Sequence, residues 1–201
     1  MAENKLKIEI FRKKTMEELS SALADPECRA GCGSAAAAVA SIAAALLCRA
    51  AKQLTVTDEN CEQAEWFVRN TEIVRSYMTN LIDEDVKCHA PLRRAQKEGE
   101  ERNIEASRQA AVSICLEIVN MMGQCLDLCE GMMPLADTET VSLLKEGAEL
   151  AYGASLAAGE YVLTMSALSP DETYRYVMKR ENELTMQDQH ARFDRIRNKN
   201  S

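Results

Sequence analysis

Residues 28–51, CRAGCGSAAAAVASIAAALLCRAA, constrain this chain more than any other segment. Two glycines, Gly31 and Gly33, open a run of alanine relieved only by serine and a few aliphatics. A helix of such small side chains lets its neighbours come close. A second run of this kind carries Gly153, Ala154, Ser155, Ala157, Ala158 and Gly159. The two helices are predicted to pack on each other or on symmetry mates, toward or below the ~8 Å end of the usual axial range. A glycine inside a helix costs roughly 1 kcal/mol relative to alanine. Gly153 and Gly159 are therefore expected to have a packing reason.

Helical periodicity and end signals divide the chain into six helices. The first starts at Thr15, where TMEE fits a capping box, and ends near Ala24 before Asp25-Pro26. The second runs from Ser34, as N-cap, to about Leu54. The third starts at Asp58 and passes Asp85 toward Pro91, where the charged connection RRAQKEGEERN follows. The fourth spans Ile104 to Cys129, and the fifth runs from Asp137-Thr138 to Ala167. The sixth starts at Ser169, with Pro170 at its first position and Glu172 completing a capping box. No stretch alternates with period two. The expected fold is all-α: an up-and-down bundle of long antiparallel helices flanked by N- and C-terminal helices, forming one domain over residues 1–201. An aromatic content of 4% against 46% hydrophobic residues fits a core of small and aliphatic side chains. The highly charged segment from Asp171 to Ser201 reads as a solvated arm or a subunit contact with frayed last residues.

A net charge of −8 disfavours nucleic acid as a partner. The start, MAENKLKIEIFRKK, lacks the apolar core of a signal peptide. The longest apolar run, Ser34 to Leu47, is shorter than the ~20 residues that span a bilayer. A soluble cytoplasmic protein is expected, with its eight cysteines reduced and mostly buried.

The glycines at 31 and 33 precede a helix N-terminus, where backbone N–H groups lack partners and the macrodipole is positive. Glycine lets a ligand approach that backbone, so an anion or polar carbonyl suits it; a tight turn into an N-cap is the plainer alternative. Helix rise places the site. The second helix climbs ~32 Å from Ser34, and the third has returned ~40 Å by Asp85, level with the glycine turn. On a helical wheel Asp85 joins Leu81, Met78, Val74 and Cys88 and interrupts the apolar seam. Asp83 shares a face with Thr79 and Ser76, four residues before Lys87, as in a solvated ion pair. A desolvated carboxyl holds its proton more tightly, which makes Asp85 the candidate general acid or base; a cap on the glycine turn is its alternative role. His89 lies one turn further on the same face, placed to relay a proton or bond the carboxylate; a structural or merely exposed histidine is the alternative. Arg93, Arg94 and Lys97 follow and could hold an anionic tail; a solvated loop of mixed charge is the commoner reading of such a run.

The runs TMEELSSALADPECRAGCGSAAAAVASIAAALLCRAAKQLT and LIDEDVKCHAPLRRAQK resemble the cyclodeaminase domain of formiminotransferase-cyclodeaminase, which bacterial methenyltetrahydrofolate cyclohydrolases share. The similarity covers roughly residues 5 to 185 and is strongest at Gly31, Gly33, Ser34, Asp83, Asp85 and Lys97. It implies an all-helical homodimer or higher homo-oligomer whose ligand is a tetrahydrofolate derivative carrying a one-carbon unit, with no metal. It implies Asp85 as the residue assisting loss of ammonia, or addition of water to the same amidinium carbon. With His89 as the second catalytic candidate, Gly31, Cys32, Gly33, Ser34, Asp83, Arg93 and Lys97 make up the expected ligand-binding set. The chain departs from the family pattern at Ala30, Cys32, Val56 to Glu59, Met132, Ala136-Asp137, Ala157 and Tyr161, several of them polar positions in relatives.

Two functions remain in play: a folate one-carbon enzyme, and a helical binding or scaffold member that has lost ligand contacts. A third is a thiol or metal site. Cys28 and Cys32, and Cys125 and Cys129, are each four apart, but the helix count puts the pairs at opposite ends. Cys88 and His89 could join the first pair only at a spacing that fits no standard zinc pattern.

Overall fold

A computed structural model describes residues 10–28, 30–99 and 101–199, with the side chain of Arg102 left out. A 3-10 turn, Phe11–Lys13, leads into six helices. These are α1 (Met16–Ala24), α2 (Cys32–Lys52), α3 (Cys61–Glu98), α4 (Glu101–Met132), α5 (Thr138–Ser166) and α6 (Glu172–Asn198). A short 3-10 turn, Met133–Leu135, links α4 to α5. There is no strand among the described residues. Helices α2 to α5 form a ring in which α2 packs on α3, α3 on α4, α4 on α5, and α5 back on α2. Short turns between successive members make them antiparallel.

The alanine face of α2 is the middle of the core. Ala37, Ala40, Ala43, Ala44 and Ala50 are fully buried, and so is Leu47. The predicted close approach of α2 and α5 is present, but at Gly147. A Cβ there would lie 2.7 Å from Leu47 Cδ2 and 3.5 Å from the Ala43 carbonyl. Gly153 instead faces open space, and Gly159 faces Asn182 and Met186 of α6. Gly159 thus has a packing reason, in α6, and Gly153 has none; the helix turns about 100° per residue, which carries both off the face that holds Gly147.

Several ends differ from those predicted. Thr15 caps α1 in a full capping box with Glu18. Asp137 caps α5 through the Thr140 amide. The cap of α6 is Asp171, which accepts from the Thr173 and Tyr174 amides, whereas the Ser169 hydroxyl is taken by Glu105 at 2.6 Å. Helix α3 starts at Cys61 and does not stop at Pro91; it runs on to Glu98 and ends at Gly99, whose φ of 72° is the left-handed cap. Proline removes one helical hydrogen bond. The turn beyond it is held by burial of Leu92 and Ala95 and by Arg93, which donates to the Pro26 and Cys28 carbonyls. Of the connection expected here, Glu100 lies outside the described residues.

Helix α6 is no solvated arm; it packs on α4 and α5 of the same chain. Buried Gln189 donates to the Val119 carbonyl at 2.7 Å and accepts from the Ser155 hydroxyl at 2.6 Å. Phe193 and Ile196 fill the groove beside it. The residues expected to fray, 200 and 201, lie outside the described part.

Helix α2 and residues 103–135 are long and apolar enough to cross a membrane by length and composition, although the run from Ser34 to Leu47 alone is not. Half or more of each apolar window is buried in the bundle, as in core helices. All eight cysteines are free thiols, and Cys48, Cys115, Cys125 and Cys129 are buried. Complete burial pushes the Cys125 thiol up to about 12 and leaves it inert.

Candidate functional site

Helix α2 begins one residue after Gly31, so Ser34 sits in its first turn and is not the N-cap. No side chain of the glycine turn caps the helix. The cap comes from Asp85, 51 residues away on α3. Its Oδ2 accepts the Ser34 amide at 2.8 Å and the Gly31 amide at 3.4 Å. The Ser34 hydroxyl lies 2.8 Å from the same oxygen and 2.9 Å from the Ile82 carbonyl, sharing one proton between two acceptors. A carboxylate at a helix N-terminus meets free amides and the positive end of the dipole. This offsets the cost of burying a side chain that is only 1% exposed. The other oxygen, Oδ1, is also buried and has no hydrogen-bond partner.

Gly33 makes room for that carboxylate. A Cβ on it would also come within 3.2 Å of the Cys115 thiol on α4. Burial, with the nearby Asp85 charge, holds Cys115 well above the usual thiol range. It is a wall of the site and not a nucleophile.

In front of the turn lies a cleft of about 530 Å³, within the range of small-molecule sites. Gly31, Cys32, His89, Arg93 and Tyr161 line it together with Leu92 and Met165. The His89 ring packs flat enough on Gly31 that a Cβ there would be 3.4 Å from it. Burial lowers the His89 pKa below 6.5; Asp85 opposes the shift and Arg93 adds to it. His89 is thus neutral at neutral pH, and its Nδ1 is buried without a partner. Among the described residues, no hydrogen bond joins it to Asp85.

The remaining candidates separate. Asp83 is buried, not solvated, and does not pair with Lys87. It accepts the Phe11 amide at 2.7 Å and the Arg12 amide at 3.3 Å, and it pairs with the Arg12 guanidinium at 3.3 Å. Lys87 pairs with Glu84. The wheel failed here because the N-terminal 3-10 turn covers the face that looked polar. Arg93 reaches the cleft, but its guanidinium clips the loop before α2. Lys97 is paired with Glu27 at 3.6 Å and lines a neighbouring groove of about 520 Å³ with Arg94 and Arg93. Asp137 caps α5 at the far end of the bundle. Among the described residues, no three His, Cys, Asp or Glu side chains gather to hold a metal, and Cys129 turns to the Leu144 carbonyl. A larger groove of about 620 Å³ lies at the other end of α2, around Arg49, Lys52, Glu72 and Arg75. Its Glu72 is already paired with Arg75, which holds that carboxyl down at about 2.

Tyr161 is the residue that sequence reasoning passed over, noting it only as a departure. The antiparallel return of α5 brings it level with Gly31, and its hydroxyl is buried without a partner.

The sequence profile of the Formiminotransferase-cyclodeaminase family matches residues 15–184. The chain belongs to this family. The fold agrees: formiminotetrahydrofolate cyclodeaminase from Thermotoga maritima superposes with a TM-score of 0.85, over 92% of this chain and 94% of that one, at 19% identity. No curated protein matches the chain. In this chain Asp85 lies behind the glycine turn and His89 at its mouth.

Proposed function

We propose that the cleft at the glycine turn binds a tetrahydrofolate derivative carrying a one-carbon unit, and that the chain acts on the amidine carbon as a cyclodeaminase or a cyclohydrolase. One observation carries this: the cleft lined by Gly31, Cys32, His89, Arg93 and Tyr161 opens directly in front of the glycine turn that the buried Asp85 carboxylate closes from behind. Loss of ammonia and addition of water both require a proton to move at a ligand nitrogen. Neutral His89, at the cleft wall, exchanges that proton. The Asp85 charge favours the imidazolium that forms, while Oδ2 keeps the turn in place. Gly31, Cys32, Gly33 and Ser34 shape the floor, and Arg93 with Lys97 borders the side on which an anionic tail would lie. The protein is cytoplasmic, a lyase or hydrolase, and one domain. Exposed Val39 and Ile42 on α2, with Leu156 on α5, form the face of a homodimer.

A second reading, a helical scaffold that no longer turns over folate, is favoured by two features. Arg93 is spent on backbone carbonyls, and Asp85 is closed off behind the turn. Isothermal titration with tetrahydrofolate and its 5,10-methenyl form separates the two. Saturable binding is expected; no heat of binding at millimolar ligand discards the enzyme.

A further inference from the structure

Asp85, His89, Arg93 and Lys97 stand four residues apart along α3, one row of side chains rising about 6 Å per step. Each of them meets the chain that leads into α2, in reverse order. Asp85 accepts the Ser34 and Gly31 amides. The His89 ring packs on Gly31. Arg93 donates to the Cys28 carbonyl and, at 2.6 Å, to the Pro26 carbonyl. Lys97 pairs with Glu27 at 3.6 Å. The two outer steps lie beyond Pro91, on the part of α3 that a proline would ordinarily cut off.

The outer steps are unequal. Lys97 and Glu27 are both exposed, and a surface pair of this kind contributes little. Arg93 is half-buried, and its planar fork reaches two carbonyls two residues apart, with a charge behind both bonds. A single ammonium does not reproduce that fork. The residues it holds, Pro26 and Cys28, line the cleft together with Gly31, and His89 and Leu92 line it from α3. Arg93 thus sets how far that chain stands from α3. Both of its terminal nitrogens are spent in doing so, which leaves the guanidinium little to offer a ligand.

We propose that Arg93 is a positioning residue of the cleft: it holds Pro26 and Cys28, and through them the glycine turn, in place, and it does not grip the anionic end of a ligand. The strap stands on the geometry above; its effect on binding rests on the folate reading. The test is Arg93→Lys, which keeps the charge and loses the fork. Amide hydrogen exchange is measured on the unliganded proteins. Calorimetry follows with tetrahydrofolate and with tetrahydropterin, the reduced ring without an anionic tail. The Gly31 and Ser34 amides should exchange roughly tenfold faster in the variant, while Ala43 and Ala44 in the middle of α2 keep their rates. Both ligands should bind more weakly by the same factor, roughly fivefold to tenfold. Unchanged exchange at Gly31 and Ser34 overturns the proposal. Equal acceleration at Ala43 and Ala44 overturns it as well, since Arg93 would then support the whole bundle and not this wall. A loss confined to tetrahydrofolate also overturns it and makes Arg93 a contact of the tail. Failure of the wild type to bind either ligand overturns the folate reading, while the exchange rates still decide the strap.

Discussion

A Cβ on Gly33 would stand 2.2 Å from Oδ1 of Asp85 and 2.7 Å from its Cγ. No side chain of any size fits between the first turn of α2 and the carboxylate that closes it. The carboxylate cannot swing aside, because its other oxygen is fixed by Ser34. Gly33→Ala is therefore expected to destabilise by about 2 kcal/mol through overpacking. Gly31→Ala meets His89 only at 3.4 Å and should cost about 0.5 kcal/mol or less. Urea unfolding of both variants checks the contrast, and equal losses would sink the account of the turn.

Asp85→Asn keeps the shape of the cap, so folding should weaken by only about 1 kcal/mol. Turnover on a methenyl- or formimino-folate should drop about a hundredfold or more while the ligand still binds. Asp85→Ala leaves the Gly31 and Ser34 amides without a partner and should cost about 3 kcal/mol. Kinetics and denaturation on the same preparations separate the chemical role from the cap.

His89 is held below 6.5 in the folded state, chiefly by burial. A depressed folded value means that the unfolded chain binds the proton more readily as pH falls through 6.5. The contribution of His89 to stability is thus complete above that pH and declines below it. Imidazole NMR should show a titration midpoint under 6.5. Asp85→Asn should lower it further, because the Asp85 charge pulls the other way. A midpoint at or above 6.5 would contradict the packing described for this ring.

Asp83 pins the N-terminal turn and does not line the cleft. Asp83→Ala releases two backbone amides and loosens Phe11, which is 1% exposed. A loss of about 2 kcal/mol is expected, with ligand Kd unchanged. A large rise in Kd at full folding would return this residue to the binding set.

The glycines of α5 separate by what surrounds them. Gly147→Ala would drive a Cβ to 2.7 Å from Leu47 Cδ2 in the core and should destabilise by about 1–3 kcal/mol. Gly153→Ala has nothing within 4 Å and should stabilise by about 0.5–1 kcal/mol. Melting temperatures moving in opposite directions are the expected result.

Local signals carried most of the fold. Capping chemistry at Thr15 and Asp137, the period of apolar residues, and helix rise are short-range properties, and they placed Asp85 level with residues 31–34. What they missed depends on tertiary contact. Asp83 looked solvent-facing because Thr79, Ser76 and Lys87 share its side of α3; the Phe11–Lys13 turn that covers it has no periodicity to read. Pro91 looked terminal because nothing in its neighbourhood reveals that Arg93 ties the next turn to Pro26 and Cys28. Ser169 and Asp171 are both good caps by type, and only the position of Glu105 decides between them. Tyr161 entered the cleft through the register of α5 against α2, which pattern alone does not set.

The anion that completes the start of α2 is supplied by a residue 51 positions downstream. A peptide excised around the glycines would carry the sequence of the turn and none of its closure. The binding floor comes into being only when two distant helices dock, so occupancy by a small molecule would report assembly of the whole bundle.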